Sequence, residues 1–227
     1  MSPELISLTG RLKLKPPSPA DDAAVVRVRT HPTTRKYLQF LPEHLTIDAV
    51  RQRREARARD ATIIDFHIHL VTEGETEIFA GTTGCFLLNE EFRSCEAGIL
   101  IVPELFGKAI ATEALHTLLR WLFEEKKLNR VTFETASDNH PMCRWLEVTA
   151  GARLEAQRRE CWRNMDGSYS DVRGYSILER EWSQGVKIAL EDKFGTKYKA
   201  GIDNALFRDA QIPFKRSTGL IHGLDSR

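Results

Sequence analysis

The spacing of apolar residues changes period several times along the first hundred positions. Arg11-Leu-Lys-Leu-Lys15 alternates polar and apolar, as a half-buried strand does, and Pro16-Pro17 ends it. Ser18-Pro19-Ala20-Asp21 then supplies a capping hydroxyl, a proline at the first helical position and an acid at the third, which predicts a helix to about His31. A second helix is expected from about 46 to 60, with Val50 and Ala56 among its few apolar residues. From Thr62 the period becomes two: Ile64, Phe66, Ile68 and Leu70 share one strand face, and Asp65, His67 and His69 the other. The strand should end near Glu73-Gly74-Glu75, and further strands over 78–88 and 94–102 follow before Pro103, giving three successive antiparallel strands.

Helical spacing returns after Gly107, where Leu115, Leu118, Leu119, Leu122 and Phe123 form one stripe of a helix expected over 107–127. A strand over 131–135 follows. Asn139 is placed to cap a short helix through Leu146 that stops near Gly151, and the turn Met165-Asp-Gly-Ser168 joins two strands over 155–164 and 171–178. This order predicts an α/β (α+β) fold, a mixed sheet with helices on its faces. Residues 1–182 are expected to form one domain. Residues 183–227 read as a helix to about Phe194, which covers the domain or pairs with another copy in a homodimer, and an irregular tail that orders in a dimer or over the acceptor site.

At 227 residues the chain can bury a sizeable core, and with 33 Lys+Arg against 32 Asp+Glu nothing overall calls for a polyanionic partner. The run Arg51-Gln-Arg-Arg-Glu-Ala-Arg-Ala-Arg59 is read as a solvated helix face, with nucleic-acid docking as the alternative. No apolar run matches a signal core or a membrane span, so a cytoplasmic protein without membrane contact is expected. Cys85, Cys95, Cys143 and Cys161 lack zinc-site spacing and read as free thiols. His67 and His69 beside Asp65 lack an evident third and fourth ligand, so no metal is expected; that polar face should line a pocket or meet solvent.

The chemistry concentrates where the strand before Pro103 runs into the helix after Gly107. A helix start has four unpaired amides and about half a unit of positive dipole charge, which suits phosphate. Gly107 and Ala109 leave the backbone approachable, Lys108 adds charge and Thr112 a hydroxyl. A tight turn with Ala109 and Ala111 packed on the sheet is the alternative. Neither Gly-x-x-x-x-Gly-Lys-Ser/Thr nor Gly-x-Gly-x-x-Gly is present, which weakens nucleoside triphosphate and dinucleotide readings.

Glu104-Leu-Phe-Gly-Lys-Ala-Ile-Ala-Thr-Glu-Ala114 resembles the acetyl-CoA motif of the GNAT superfamily of acyl-CoA N-acyltransferases, in the form used by its ribosomal-protein-type (RimJ/RimL) branch. Glu96-Ala-Gly98, Asn139, Asp171-Val-Arg-Gly-Tyr-Ser176 and Glu181-Trp182 fall where that branch has its counterparts, so the likeness spans roughly 8–182. It implies a GNAT-type, mostly antiparallel sheet whose strands splay to admit the pantetheine arm of CoA. By the same resemblance Ile99, Leu100 and Ile101 offer backbone groups to pantetheine. The amides of Gly107, Lys108, Ala109, Ile110, Ala111 and Thr112 hold the pyrophosphate, and Asn139 and Met142 border the arm. The sequence departs from the pattern at Glu104, usually Gln or Arg; at Ala109, usually Gly; at Met142, usually Ser; at Leu146, often Tyr; at Ala152, usually aromatic; and by one residue inserted before Gly151.

Acyl transfer to an amine needs a base, because an aliphatic amine with a pKa near about 10 is protonated at neutral pH. Glu96 matches the family carboxylate near the thioester, with a paired surface residue as its plainer reading. A backbone amide near Leu100 is the expected oxyanion donor. Tyr175 or a bound water is left as the acid, and Cys143 as an acyl-enzyme nucleophile is the lesser alternative. The function so implied is acetyl-CoA-dependent N-acetylation of a small-molecule primary amine. A protein N-terminus as acceptor and a non-catalytic acyl-CoA-binding module are the alternatives.

Overall fold

A computed structural model describes residues 3–72, 74 and 76–199, with side chains placed to Phe194. Two short strands, β1 (Leu5–Ile6) and β2 (Leu12–Lys15), open the chain. A 3-10 turn over Pro19–Asp21, capped by Ser18, leads into α1 (Asp22–Thr30), followed by α2 (Pro32–Arg35) and α3 (Ile47–Arg59), whose Ala49 N–H donates to the Thr46 hydroxyl. Then come β3 (Ile64–Val71), β4 (Glu77–Asn89), β5 (Ser94–Ile101) and α4 (Ile110–Arg120). The second half holds β6 (Arg130–Ala136), α5 (His140–Arg144), β7 (Arg153–Arg163), β8 (Tyr169–Leu178), α6 (Glu179–Glu181) and α7 (Lys187–Lys199). Each of α4, α5 and α6 widens after its last residue into one turn of π-helix.

In these residues eight strands form one sheet in the order β1-β2-β3-β4-β5-β6-β8-β7, a mixed and mostly antiparallel sheet as expected. The exception is the parallel pair of β5 and β6, which is short: Ser94, Cys95 and Glu96 face Arg130, Val131 and Thr132, and there the pairing stops. Beyond Glu96, β5 stays with β4 through Ile101, while β6 stays with β8 through Ala136. The sheet therefore opens into a V between its middle strands.

Alternation along the strands sends Phe66, Ile68, Cys95, Ala97 and Ile101 toward α4, where Leu115, Leu118, Leu119 and Leu122 are fully buried. Each such side chain withdraws apolar area worth about 1.5–3 kcal/mol. Phe66 meets Trp121 edge-on at 5.6 Å. On the far side of α4 the C-terminal helix closes the core with Trp182, Leu190 and Phe194. The other sheet face is covered by α1 and α3.

Helix α4 starts three residues later than the periodicity suggests, because Gly107 (φ 76°) and Ala109 (φ 60°) are left-handed and cannot continue a helix. At its far end the Lys126 N–H reaches Trp121 O at 2.9 Å, Lys127 turns left-handed and the Leu128 N–H reaches Leu122 O at 3.0 Å. The helix after Asn139 ends the same way: Ala150 N–H donates to Trp145 O, Gly151 is left-handed, and Ala152 N–H donates to Leu146 O.

Candidate active site

The turn after β5 is held from outside. Arg11 donates through Nε to Glu113 Oε2 at 2.7 Å and through Nη2 to the Lys108 carbonyl at 3.3 Å, and Thr9 donates to the other Glu113 oxygen. Glu113 is fully buried one turn into α4, so this charge pair fixes the first turn of the helix against the start of β2. With left-handed residues at 107 and 109, the amides leading into Ile110, Ala111 and Thr112 gather at the helix start. A Cβ added to Gly107 would meet nothing within 4 Å, so glycine serves its dihedral angle there and the space around it is open.

The V lies beside this turn. The Val102 N–H donates to Ala80 O, and since alternate residues of an antiparallel strand address opposite neighbours, Leu100 points its backbone groups at Thr82. Ile99 and Ile101 turn theirs toward the open side. Sequence reasoning groups the three as equivalent. Across the gap, Asn139 caps α5 by accepting from the Met142 N–H at 3.3 Å and donates to Thr135 Oγ1 at 2.9 Å. Trp145 spans the two walls, its indole N–H donating to Thr112 Oγ1 at 3.0 Å; the Thr112 hydroxyl proton is left for another acceptor.

Tyr175 is buried, its hydroxyl donating to Glu147 Oε1 at 2.7 Å. Burial, that hydrogen bond and the neighbouring Cys143 push its pKa up, against the pull of Arg173. It does not line the cleft that holds Glu96. Cys143 is buried in the core, and all four cysteines are free.

That cleft, of about 290 Å³, lies on the sheet face beneath α1 and α3. Its floor includes Asp65, Thr82, Gly84, Glu96 and Leu100, and Phe40 and Trp162 meet over it edge-on at 5.2 Å. Gly84 is required by close approach: a Cβ there would fall 2.3 Å from Ile64 O. Glu96 stands at the point where β5 leaves β6. Burial, then the Glu134 carboxylate, push its pKa up to about 7 against the pull of Arg158, which itself bonds Glu134 at 2.5 Å.

Of the polar face of β3, Asp65 and His67 line this cleft, but the face is spoken for. Asp65 receives a two-point hydrogen bond from Arg57 at 2.6 and 2.7 Å. His67 and His69 both turn to Asp21, the former at 2.8 Å. Although burial pushes Asp21 up, these hydrogen bonds hold it well below the usual carboxylate range. Among the described residues no group of three or more His, Cys, Asp or Glu is arranged for a metal ion.

The basic run is the largest departure from expectation. Arg51 and Arg59 do face outward, paired with Asp48 and Glu55, but Arg53, Arg54 and Arg57 line the cleft with Val50, the residue of α3 that is buried. Arg54 grips Asp22 of α1 at 3.0 Å through two bonds. The spacing of 50, 53, 54 and 57 is that of one helix face and was available in the sequence. Arg29 of α1 carried no such signal, since it reaches the cleft only through tertiary packing.

Comparison with known proteins gives one family. The acetyltransferase (GNAT) domain matches residues 11–149. YdaF of Bacillus subtilis (strain 168), named provisionally as a ribosomal N-acetyltransferase, is 27% identical over 173 residues, covering 75% of this chain and 92% of its own. A crystal structure from T. thermophilus, described provisionally as an acetyltransferase, is 27% identical with a TM-score of 0.70, covering 85% of this chain and 98% of that one. The spermidine N-acetyltransferase of Vibrio cholerae, solved with CoA and spermine, shares the fold at a TM-score of 0.66 and 21% identity, covering 77% and 99% of the two chains.

Proposed function

The chain belongs to the GNAT acetyltransferase family, and on that premise we propose that it moves an acetyl group from acetyl-CoA to a small primary amine by direct transfer in a ternary complex. The observation that carries this reading is Glu96, a carboxylate raised to about 7, at the apex of the V where β5 and β6 part. The pantetheine arm enters the V against the outward-facing backbone of Ile99 and Ile101. The pyrophosphate sits on the amides between Gly107 and Thr112, with Lys108 adding charge. The amine comes from the opposite sheet face through the cleft.

Glu96, directly or through one water, takes a proton from the ammonium group. The neutral nitrogen attacks the thioester carbon, forming the C–N bond, and a backbone amide of the rail, at Ile99 or Ile101, steadies the oxyanion. Collapse breaks the C–S bond, and the second proton of the now cationic nitrogen passes through bound water to the departing thiolate, since the Tyr175 hydroxyl is turned to Glu147. A cleft of about 290 Å³, roofed by Phe40 and Trp162, suits a small acceptor better than a protein N-terminus.

The test is CoA release by the purified chain with acetyl-CoA and a broad amine panel, set beside calorimetric CoA binding. Turnover that Glu96→Gln abolishes, with CoA binding kept, supports the assignment. Undiminished activity in Glu96→Gln removes Glu96 from the role of base. CoA binding with no turnover on any amine turns the reading into that of a non-catalytic acyl-CoA module.

A further inference from the structure

The arginines that line the cleft are not all paired with its carboxylates. Arg54 is matched by Asp22, Arg57 by Asp65, and Glu134 by Arg158. Two guanidiniums remain, Arg29 from α1 and Arg53 from the exposed rim of α3. No hydrogen bond or ion pair to either is found among the described residues, and both oxygens of Asp65, the nearby acid, are taken by Arg57. Burial, then Arg53 and Arg57, lower Arg29 to about 10 despite Asp65, and partial desolvation with Arg57 lowers Arg53. Each cation is thus held where an anion would relieve it.

Glu96 responds to Glu134 and Arg158, whereas Arg29 responds to Arg53, Arg57 and Asp65. Asp65 faces Gly84, Gly84 faces Gly98, and Glu96 is two residues further along β5. Two strand spacings across and two residues along place the Asp65 and Glu96 Cα atoms on the order of 12 Å apart. That separation leaves room for an acceptor whose amine meets the base while another group meets the arginines.

Building on the acetyl-transfer reading above, we propose that the acceptor is an amine that also carries a carboxylate, held at the Arg29 and Arg53 end while its amine lies at Glu96. A polyamine would bring further positive charge to these two cations and is disfavoured.

The experiment follows thiol release by the purified full chain at saturating acetyl-CoA. The acceptors are ω-amino acids of graded chain length, each paired with its primary amide, together with spermidine. Acids should exceed their amides in kcat/KM by at least about tenfold, mainly through KM, as a charge-assisted guanidinium contact predicts. Arg29→Gln and Arg53→Gln should each lower the acid rate more than the amide rate, moving the ratio toward one, while the outward-facing Arg51→Gln leaves it as it is. Arg53 lies at the rim, so its variant keeps the test alive should Arg29→Gln fail to fold. Amides or spermidine used as well as the acids, or a ratio unmoved by both variants, overturns the proposal and leaves acetyl transfer standing. CoA binding without turnover of any acceptor removes both.

Discussion

Burial and the Glu134 carboxylate hold Glu96 near pH 7, where amine acetylation would have to proceed. Because the base acts deprotonated, kcat/KM should rise with pH and level off above about 7, and the plateau should begin at lower pH in a variant that neutralises Glu134. The same shift has a stability sign. The folded pKa lies above the unfolded one, so the contribution of Glu96 is fully present below pH 4.5 and lost as pH rises through about 7. Glu96→Gln should therefore match the native chain in stability at pH 4 and exceed it at pH 8 by about 1 kcal/mol, the shift being discounted for the solvent that reaches this half-buried group, measured by urea unfolding, although it loses activity. At the turn, Gly107→Ala should cost about 1–2 kcal/mol through its left-handed φ of 76°. Ala109→Gly should return up to about 1 kcal/mol at φ 60°.

At the scale of elements, the start of α4 depends on a residue from the other end of the fold. Glu113 was visible in the sequence as part of the acetyl-CoA motif, yet its partner Arg11 reads there only as a polar position at the start of a strand. Alternation and helical spacing report burial along one segment, and a contact between positions 11 and 113 appears only once β2 and α4 are packed. Removing the buried acid takes away the carboxylate that balances the Arg11 guanidinium, so Glu113→Ala should lower stability by about 3–5 kcal/mol, read from a denaturant melt. The strands and their turns were legible for the opposite reason: period two over Ile64 to Leu70, Pro103 as a stop and Asn139 as a cap are local signals. Helix α3 falls between. Its inward arginines were written at helical spacing, but composition alone suggested solvent, because a charged face turned inward is intelligible only beside Asp22 and Asp65.

Taken as a whole molecule, the domain is closed by the segment after β8. Trp182 donates to Glu124 Oε1 at 3.0 Å and stacks on Phe123 at 5.6 Å, and Phe194 packs edge-on against the buried His116 at 5.1 Å. A chain ended at Trp182 would uncover the outer side of α4, so it should lose cooperative thermal unfolding. Phe194→Ala alone should cost about 3–5 kcal/mol. The sheet divides the two proposed substrates, cofactor on the α4 side and acceptor beneath α1 and α3, and they meet only through the V. The indole of Trp145, bridging that V to Thr112, gives the protein a built-in optical probe. Cofactor settling on the turn changes the surroundings of this ring, so its fluorescence should follow an acetyl-CoA titration in the absence of any amine, and Trp145→Phe should silence that signal while Trp121, Trp162 and Trp182 go on emitting.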